Sequence, residues 1–225
     1  MPSNKMWEAF YDKGNELNIV PYTEVFSFLA KNCGHNSKGK KLLEIGCGAG
    51  NNLMFAKWAF GFNIYGIDQS KAVIELVRKR FQKKNLSYEV LEQGNMDDLK
   101  FENEFFDVVV DRAAIQHNTF LDAKRIVSEV YRVLKYGGLF YSSLSSDCHP
   151  LFNNHLGDGN YHEDRIGMWH FFSKSEILDL FSCFEIIQWY HTTRLDLPDN
   201  KITNGGYHLE MKKNYRYQEV MDVYF

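Results

Sequence analysis

The sequence predicts a doubly wound α/β domain on a mostly parallel sheet, and three features carry that reading. From Lys40 onward, short apolar runs ending in Gly or Asp alternate with longer amphipathic segments. This is the pattern of buried strands joined by crossover helices. One run, LLEI at 42–45, opens directly into the glycine turn GCGAG. Only four prolines (Pro2, Pro21, Pro150, Pro198) interrupt 225 residues, so regular elements can run through most of the chain.

Taken in order, residues 20–32 place Val20, Val25, Phe26, Phe28 and Leu29 at helical spacing, with Pro21 suited to a first turn. Strands are expected at 41–45, 63–67, 88–92, 106–110 and 138–144. An amphipathic helix carrying Leu53, Met54, Phe55 and Trp58 follows the glycine turn. A second spans 70–84, capped by Ser70 with Val73, Ile74 and Val77 towards the sheet. A third spans 122–134, burying Ile126, Val127, Val130, Val133 and Leu134, with Gly137 and Gly138 as a left-handed stop. Residues 145–172 lose this regularity and are too long for an ordinary connection, so they read as a functional insertion. A helix over 173–181, capped by Ser173 with Glu176 at its third position, then leads to strand 184–191, a polar loop through Gly205 and Gly206, and strand 207–212.

Composition excludes several function classes. Lys plus Arg is 26 against 29 for Asp plus Glu, a net charge of -3, which gives no built-in attraction for nucleic acid or anionic lipid. Cys33, Cys47, Cys148 and Cys183 form no CxxC pair and suggest neither a disulfide nor a zinc framework. No window approaches the roughly 20 apolar residues that span a bilayer, and no apolar run of signal-peptide length opens the chain. A soluble, cytoplasmic monomer or homodimer is expected, with no metal.

The glycine turn points to a nucleoside. Gly46, Gly48 and Gly50 permit positive φ and remove bulk, so a ligand can lie against main-chain N–H groups at a helix start. The second strand ends in Asp68, 22 residues after Gly46, near the spacing at which an acid meets two ribose hydroxyls. A tight turn and a helix cap would explain either feature alone. Strand, turn, helix, strand and acid in order favour the nucleotide-like ligand.

Dinucleotide sites favour GxGxxG, whereas here the pattern is E-x-G-x-G-x-G from Glu44. In this it resembles the class I S-adenosylmethionine-dependent methyltransferases. QGNMDDLKF (93–101) is similar to the family's adenine-contacting segment, with Asn95 where Asp is commoner. FDVVVDRAAIQHN (106–118) is similar to its fourth strand and turn, and RVLKYGGLFYSSL (132–144) to its fifth, with Tyr136 where Pro is usual. The resemblance covers about residues 40–145. It implies seven strands with the last antiparallel, preceded by N-terminal helices and carrying an insertion that caps the substrate. On this reading 1–225 is one domain: a helical cap (1–39), the cofactor core (40–144), the substrate-side insertion (145–172) and the rest of the sheet (173–225).

It also implies S-adenosyl-L-methionine as cofactor, S-adenosyl-L-homocysteine as product, and a set of binding residues. Glu44, Gly46 and Gly48 would surround the methionine part, Asp68 would bind the ribose and Gln69 would flank the adenine, with Cys47 and Asn51 also among the cofactor-binding residues. Asn95 and Met96 would read the adenine edge, and Asp111, Arg112 and Ala113 would sit beside the sulfonium. The opening MWEAFYDKG is similar to the W-x-x-x-Y-x-x-G of small-molecule methyltransferases, with Tyr11 facing the sulfonium.

Methyl transfer to a neutral hydroxyl or a protonated amine needs a base, most often His. His117 and His149 are the candidates because both follow carboxyl ends of strands. His155 and His162 share the insertion with Asp158, Glu163 and Asp164, but no regular spacing supports a metal site there. The sequence lacks a Pro-Pro pair and any Cys after Pro, which argues against adenine-N and cytosine-5 DNA methyltransferases. A small-molecule acceptor remains, such as a sugar or a nucleotide-linked metabolite. Alternatives are a nicotinamide-dependent oxidoreductase and a non-catalytic cofactor-binding subunit.

Overall fold

The computed structural model describes residues 20–154, 160–163, 167–197, 199 and 201–214. Strands β1 (Lys41–Ile45), β2 (Asn63–Asp68), β3 (Val90–Gln93), β4 (Phe106–Arg112) and β5 (Leu134–Ser145) pair in parallel in the order β3-β2-β1-β4-β5. The insertion adds a separate hairpin of β6 (Asn160–Glu163) and β7 (Gly167–His170). The chain then returns through β8 (Glu185–Asp196) and β9 (Lys201–Lys212), and β9 runs antiparallel between β5 and β8. This is the expected seven-stranded sheet.

Among the described residues, five helices cover its two faces: α1 (Thr23–Asn32), α2 (Asn51–Phe60), α3 (Lys71–Lys83), α4 (Phe120–Val133) and α5 (Lys174–Leu180). One core packs Val25, Phe28 and Leu29 of α1, Leu53 and Ala56 of α2, and Val73, Ile74 and Val77 of α3 on one sheet face. The other sets Ala123, Ile126, Val127, Val130 and Val133 of α4, with Ile177 and Leu180 of α5, against Leu43, Ile45, Val109 and Phe140. Ile126, Val127, Val130 and Val133 of α4 are at most 2% exposed, and each of these side chains contributes roughly 1.5–3 kcal/mol by leaving water. Ser70 caps α3 by accepting from Val73 N–H at 3.3 Å. Ser173 and Glu176 close a reciprocal capping box on α5.

Several expected boundaries shift for physical reasons. Pro21 lies before α1, whose flanking Tyr22 is extended. Trp58 is not a core residue of α2 but is 74% exposed, while Ala56 turns inward. Helix α4 stops at Val133 because Leu134 is already extended, and Gly137, at φ 76°, sits where the β4–β5 register shifts. The polar loop expected before Gly206 is instead paired: Thr193–Gly205, Arg194–Asn204 and Leu195–Ile202 extend β8 and β9 as a ribbon beyond the last β5 pair, Ser145–Gly206. Polar residues on a two-stranded ribbon face water on both sides, so they carry no alternating pattern to read.

Candidate active site

The carboxyl end of β1 turns on Gly46 (φ 60°), Gly48 (φ 49°) and Gly50 (φ 72°) before α2 begins. A Cβ on Gly46 would lie 2.3 Å from Ala114 Cβ, and one on Gly50 would lie 2.6 Å from Val77 Cγ1. The turn is therefore glycine for both conformation and space. Asp68, at the end of β2, faces it. One carboxylate oxygen accepts from Gly48 N–H at 3.0 Å, and the other from Ser70 N–H at 3.0 Å. Burial pushes this carboxyl's pKa up against the pull of those two donors.

The opposite wall is the turn after β4, and it hangs on Asp111. That fully buried carboxylate accepts from Ala114 N–H at 2.9 Å, Ile115 N–H at 3.2 Å and the Ser142 hydroxyl at 2.7 Å. Burial raises its pKa to about 6. Asp111, expected beside the sulfonium, thus folds the loop and is not among the residues that line the cavity. The loop it folds carries Ala113 in a left-handed conformation, φ 62°. Between the two turns lies a cavity of about 180 Å³, lined among others by Gly46, Asp68, Gln69, Asn95, Met96, Arg112, Ala113 and His117. That is more than ten times the roughly 10–15 Å³ that one water needs.

Two polar side chains are left incomplete, Arg112 at the cavity wall and Glu44 at the end of β1. Glu44 is 3% exposed; one oxygen accepts from Asn52 Nδ2 at 2.6 Å, and the other has no hydrogen-bond partner. Burial pushes its pKa up to about 8. Arg112 is half-buried, its guanidinium lies 3.8 Å over the Tyr22 ring, and its Nε has no partner. Orphaned buried groups of opposite sign are costly unless a ligand completes them.

The remaining expected residues divide. Cys47 is buried, and burial raises its pKa. Asn51 turns away from the cavity to accept from Arg80 NH1 at 2.8 Å. Tyr11, His155 and Asp158 lie outside the described residues, and the side chains of His162 and Glu163 do as well. His117 lines the cavity, and its Nδ1 meets the Met168 carbonyl of β7 at 3.0 Å. A carbonyl only accepts, so Nδ1 carries the proton and Nε2 the lone pair. Burial lowers this ring's pKa to about 4.

His149 behaves differently. It stacks on Phe171 at 5.1 Å, with Trp169 at 5.1 Å, and its Nδ1 accepts from Leu151 N–H at 3.2 Å. Its lone pair is occupied, and it is not among the residues lining the cavity. Gly94, Asp97, Ala114, Asn118 and Ile126 also line the cavity, and motif reading did not single them out. Only their nearness in sequence to Asn95 and His117 could have signalled them.

Residues 43–142 match the family model described as a methyltransferase domain. Over that stretch the chain is similar to methyltransferase domains, and its seven-stranded sheet is the class I methyltransferase fold. A phthiotriol/phenolphthiotriol dimycocerosates methyltransferase of Mycobacterium leprae is 36% identical over 111 residues, covering 48% of this chain and 39% of that protein. The chain spans less than half the length of the first curated relatives it matches. A S-adenosylmethionine-dependent methyltransferase of Methanosarcina mazei superposes with TM-score 0.68 at 21% identity, covering 88% of this chain and all of that one. A [4+2]-cyclase superposes with TM-score 0.70 at 14% identity, covering 94% and 93%.

The family's cofactor is S-adenosylmethionine, and the residues present fit it. The methionine end carries an ammonium and a carboxylate, the two charges that the open oxygen of Glu44 and the unpartnered Nε of Arg112 lack. The cradle at Gly46 is a space that a Cβ would fill.

Proposed function

We propose that this chain moves a methyl group from S-adenosylmethionine to an oxygen or nitrogen of a small-molecule acceptor. The observation that carries the reading is the pairing of a side-chain-free turn with Asp68 across it, with the unpartnered Glu44 oxygen and Arg112 Nε nearby. When bound, the cofactor supplies a methyl on a sulfonium whose leaving group is a neutral thioether. The chain's part is to bind, orient and exclude water, and orientation alone can supply roughly 7–11 kcal/mol.

In this reading Asp68 takes the ribose hydroxyls, Gln69, Asn95 and Met96 hold the adenine, and Glu44 and Arg112 hold the amino-acid end. Ala113 is the wall nearest the reacting carbon. His117 is the better placed of the two candidate bases, since it lines the cavity while His149 does not. A cap role for residues 145–172 is supported by the same His117–Met168 contact and by Trp169 Nε1–H donating to Ser145 Oγ at 3.0 Å.

Titration calorimetry with S-adenosylhomocysteine tests the reading. Binding at sub-millimolar concentration is expected, and its absence rejects it. The likeness to a [4+2]-cyclase favours a second reading, in which the fold serves chemistry other than methyl transfer. Formation of S-adenosylhomocysteine in equal amount to product separates the two.

A further inference from the structure

Both incomplete side chains are held from one place, the residue that precedes α1. Tyr22 is extended and half-buried, and its carbonyl accepts from Phe26 N–H at 3.0 Å in the first turn of that helix. Its own N–H donates instead to Asn52 Oδ1 at 3.0 Å, and its ring lies 3.8 Å from the Arg112 guanidinium. Asn52, buried in the first turn of α2, passes the contact on, because its Nδ2 donates to Glu44 Oε1 at 2.6 Å. A main-chain N–H can only donate, so the amide oxygen must face Tyr22 and the amide nitrogen must face Glu44.

Each of these two chains of contacts ends on a buried atom without a partner, Glu44 Oε2 on one and Arg112 Nε on the other. The two ends are neighbours. Glu44 is within electrostatic reach of Arg112 and Asp68, and the β1–β4 register sets Ile45, one residue after Glu44, beside Asp111, one residue before Arg112. A tie between α1 and α2 accounts for the Tyr22–Asn52 hydrogen bond. It does not account for a buried carboxylate with one oxygen fixed and the other left over, since buried polar atoms are nearly always paired.

The fixed oxygen also favours one state of the group. Burial drives Glu44 towards its neutral form, and the Asn52 hydrogen bond is the largest effect opposing that, so Asn52 supports the carboxylate that an ammonium would meet. Asn51, one residue earlier and about 100° round the helix, is turned to Arg80 and has no such part. We propose that Tyr22 and Asn52 are positioning residues for the amino-acid end of the cofactor: Asn52 holds Glu44 with its open oxygen towards the ammonium, and the Tyr22 ring holds Arg112 with its open Nε towards the carboxylate. This rests on the methyltransferase reading and gives the start of α1 a part in the same site.

The test compares S-adenosylhomocysteine with 5′-methylthioadenosine, which keeps the nucleoside and the sulfur but lacks the amino-acid end. Calorimetry on the unsubstituted protein is expected to show S-adenosylhomocysteine binding at least about tenfold tighter, because only it completes Glu44 and Arg112. Asn52→Ala is expected to cost at least about tenfold in S-adenosylhomocysteine affinity and Tyr22→Leu about fivefold, each changing methylthioadenosine affinity by less than about twofold. Tyr22→Phe keeps the ring over Arg112 and is expected to bind both ligands as the unsubstituted protein does. Should Asn52→Ala fail to fold, the two Tyr22 variants decide, because either one keeps the N–H that Asn52 needs. Equal affinity of the two ligands for the unsubstituted protein, equal losses of both in the variants, S-adenosylhomocysteine affinity indifferent to the substitutions, or Tyr22→Phe as impaired as Tyr22→Leu overturns the positioning role and leaves the proposed function standing. Failure of the unsubstituted protein to bind S-adenosylhomocysteine overturns that function first.

Discussion

Two turns face each other across one cavity and are built by opposite means. The turn after β1 works by lacking side chains: three glycines at positive φ leave main-chain N–H groups and open space. The turn after β4 works by adding one, since the buried Asp111 carboxylate gathers two N–H groups and a hydroxyl and so forces Ala113 to positive φ. The first resists any gain of atoms, the second any loss. Both shape the same cavity, but only the first can be recognised from adjacent residues.

This contrast is breakable, most sharply at Asp111. Asp111→Ala leaves two buried N–H groups and the Ser142 hydroxyl without their acceptor, and is expected to destabilise the fold by about 3–4 kcal/mol. Denaturant unfolding checks this, and a loss under about 1 kcal/mol would show that the loop holds itself. Gly46→Ala forces a Cβ onto Ala114 and is expected to cost about 2–3 kcal/mol of stability and to abolish S-adenosylhomocysteine binding in what remains folded. Normal binding in that variant would mean the cradle is not where the ligand lies.

Asp68→Ala is expected to weaken S-adenosylhomocysteine by roughly 1.5–3 kcal/mol in calorimetry, the worth of charge-assisted hydrogen bonds. Because Asp68 also holds Gly48 and Ser70, a fall in Tm should accompany it. The smallest effect is a proton. Burial raises Glu44 from 4.5 to about 8, so between these values the folded protein keeps a proton that the unfolded chain has lost. Stability from this group is full below the lower value and is lost as pH rises through the upper one. An ammonium arriving beside Glu44 favours its ionised form, so cofactor binding near pH 7 should release up to about one proton. Binding enthalpies in buffers of different ionisation heat measure it, and Glu44→Gln should remove it.

How far the site could be read in advance follows the same division. Gly46, Gly48 and Asp68 were recognisable because the turn, the following helix and the next strand end lie in one short, ordered stretch. Asn95, Met96 and Ala113 came from resemblance and do line the cavity. Asp111 was expected at the ligand and lies behind the wall, because its partner Ser142 is 31 residues on, across a strand pairing. His149 was given equal weight with His117, since both follow strand ends, but Leu151 N–H occupies its acceptor nitrogen.

By itself the sequence determined the order of strands and helices, the glycine turn, the acid one strand over and the resemblance to methyltransferase domains, because these depend on local periodicity and on spacings along one crossover. Only the tertiary structure decided which polar groups are spent and which are free. Glu44 and Arg112 look like any glutamate and arginine in the chain, yet each keeps a buried atom without a hydrogen-bond partner. Whether a polar atom finds a partner depends on strands far apart in sequence, and burial then turns an unmet hydrogen bond into a place where a ligand gains free energy.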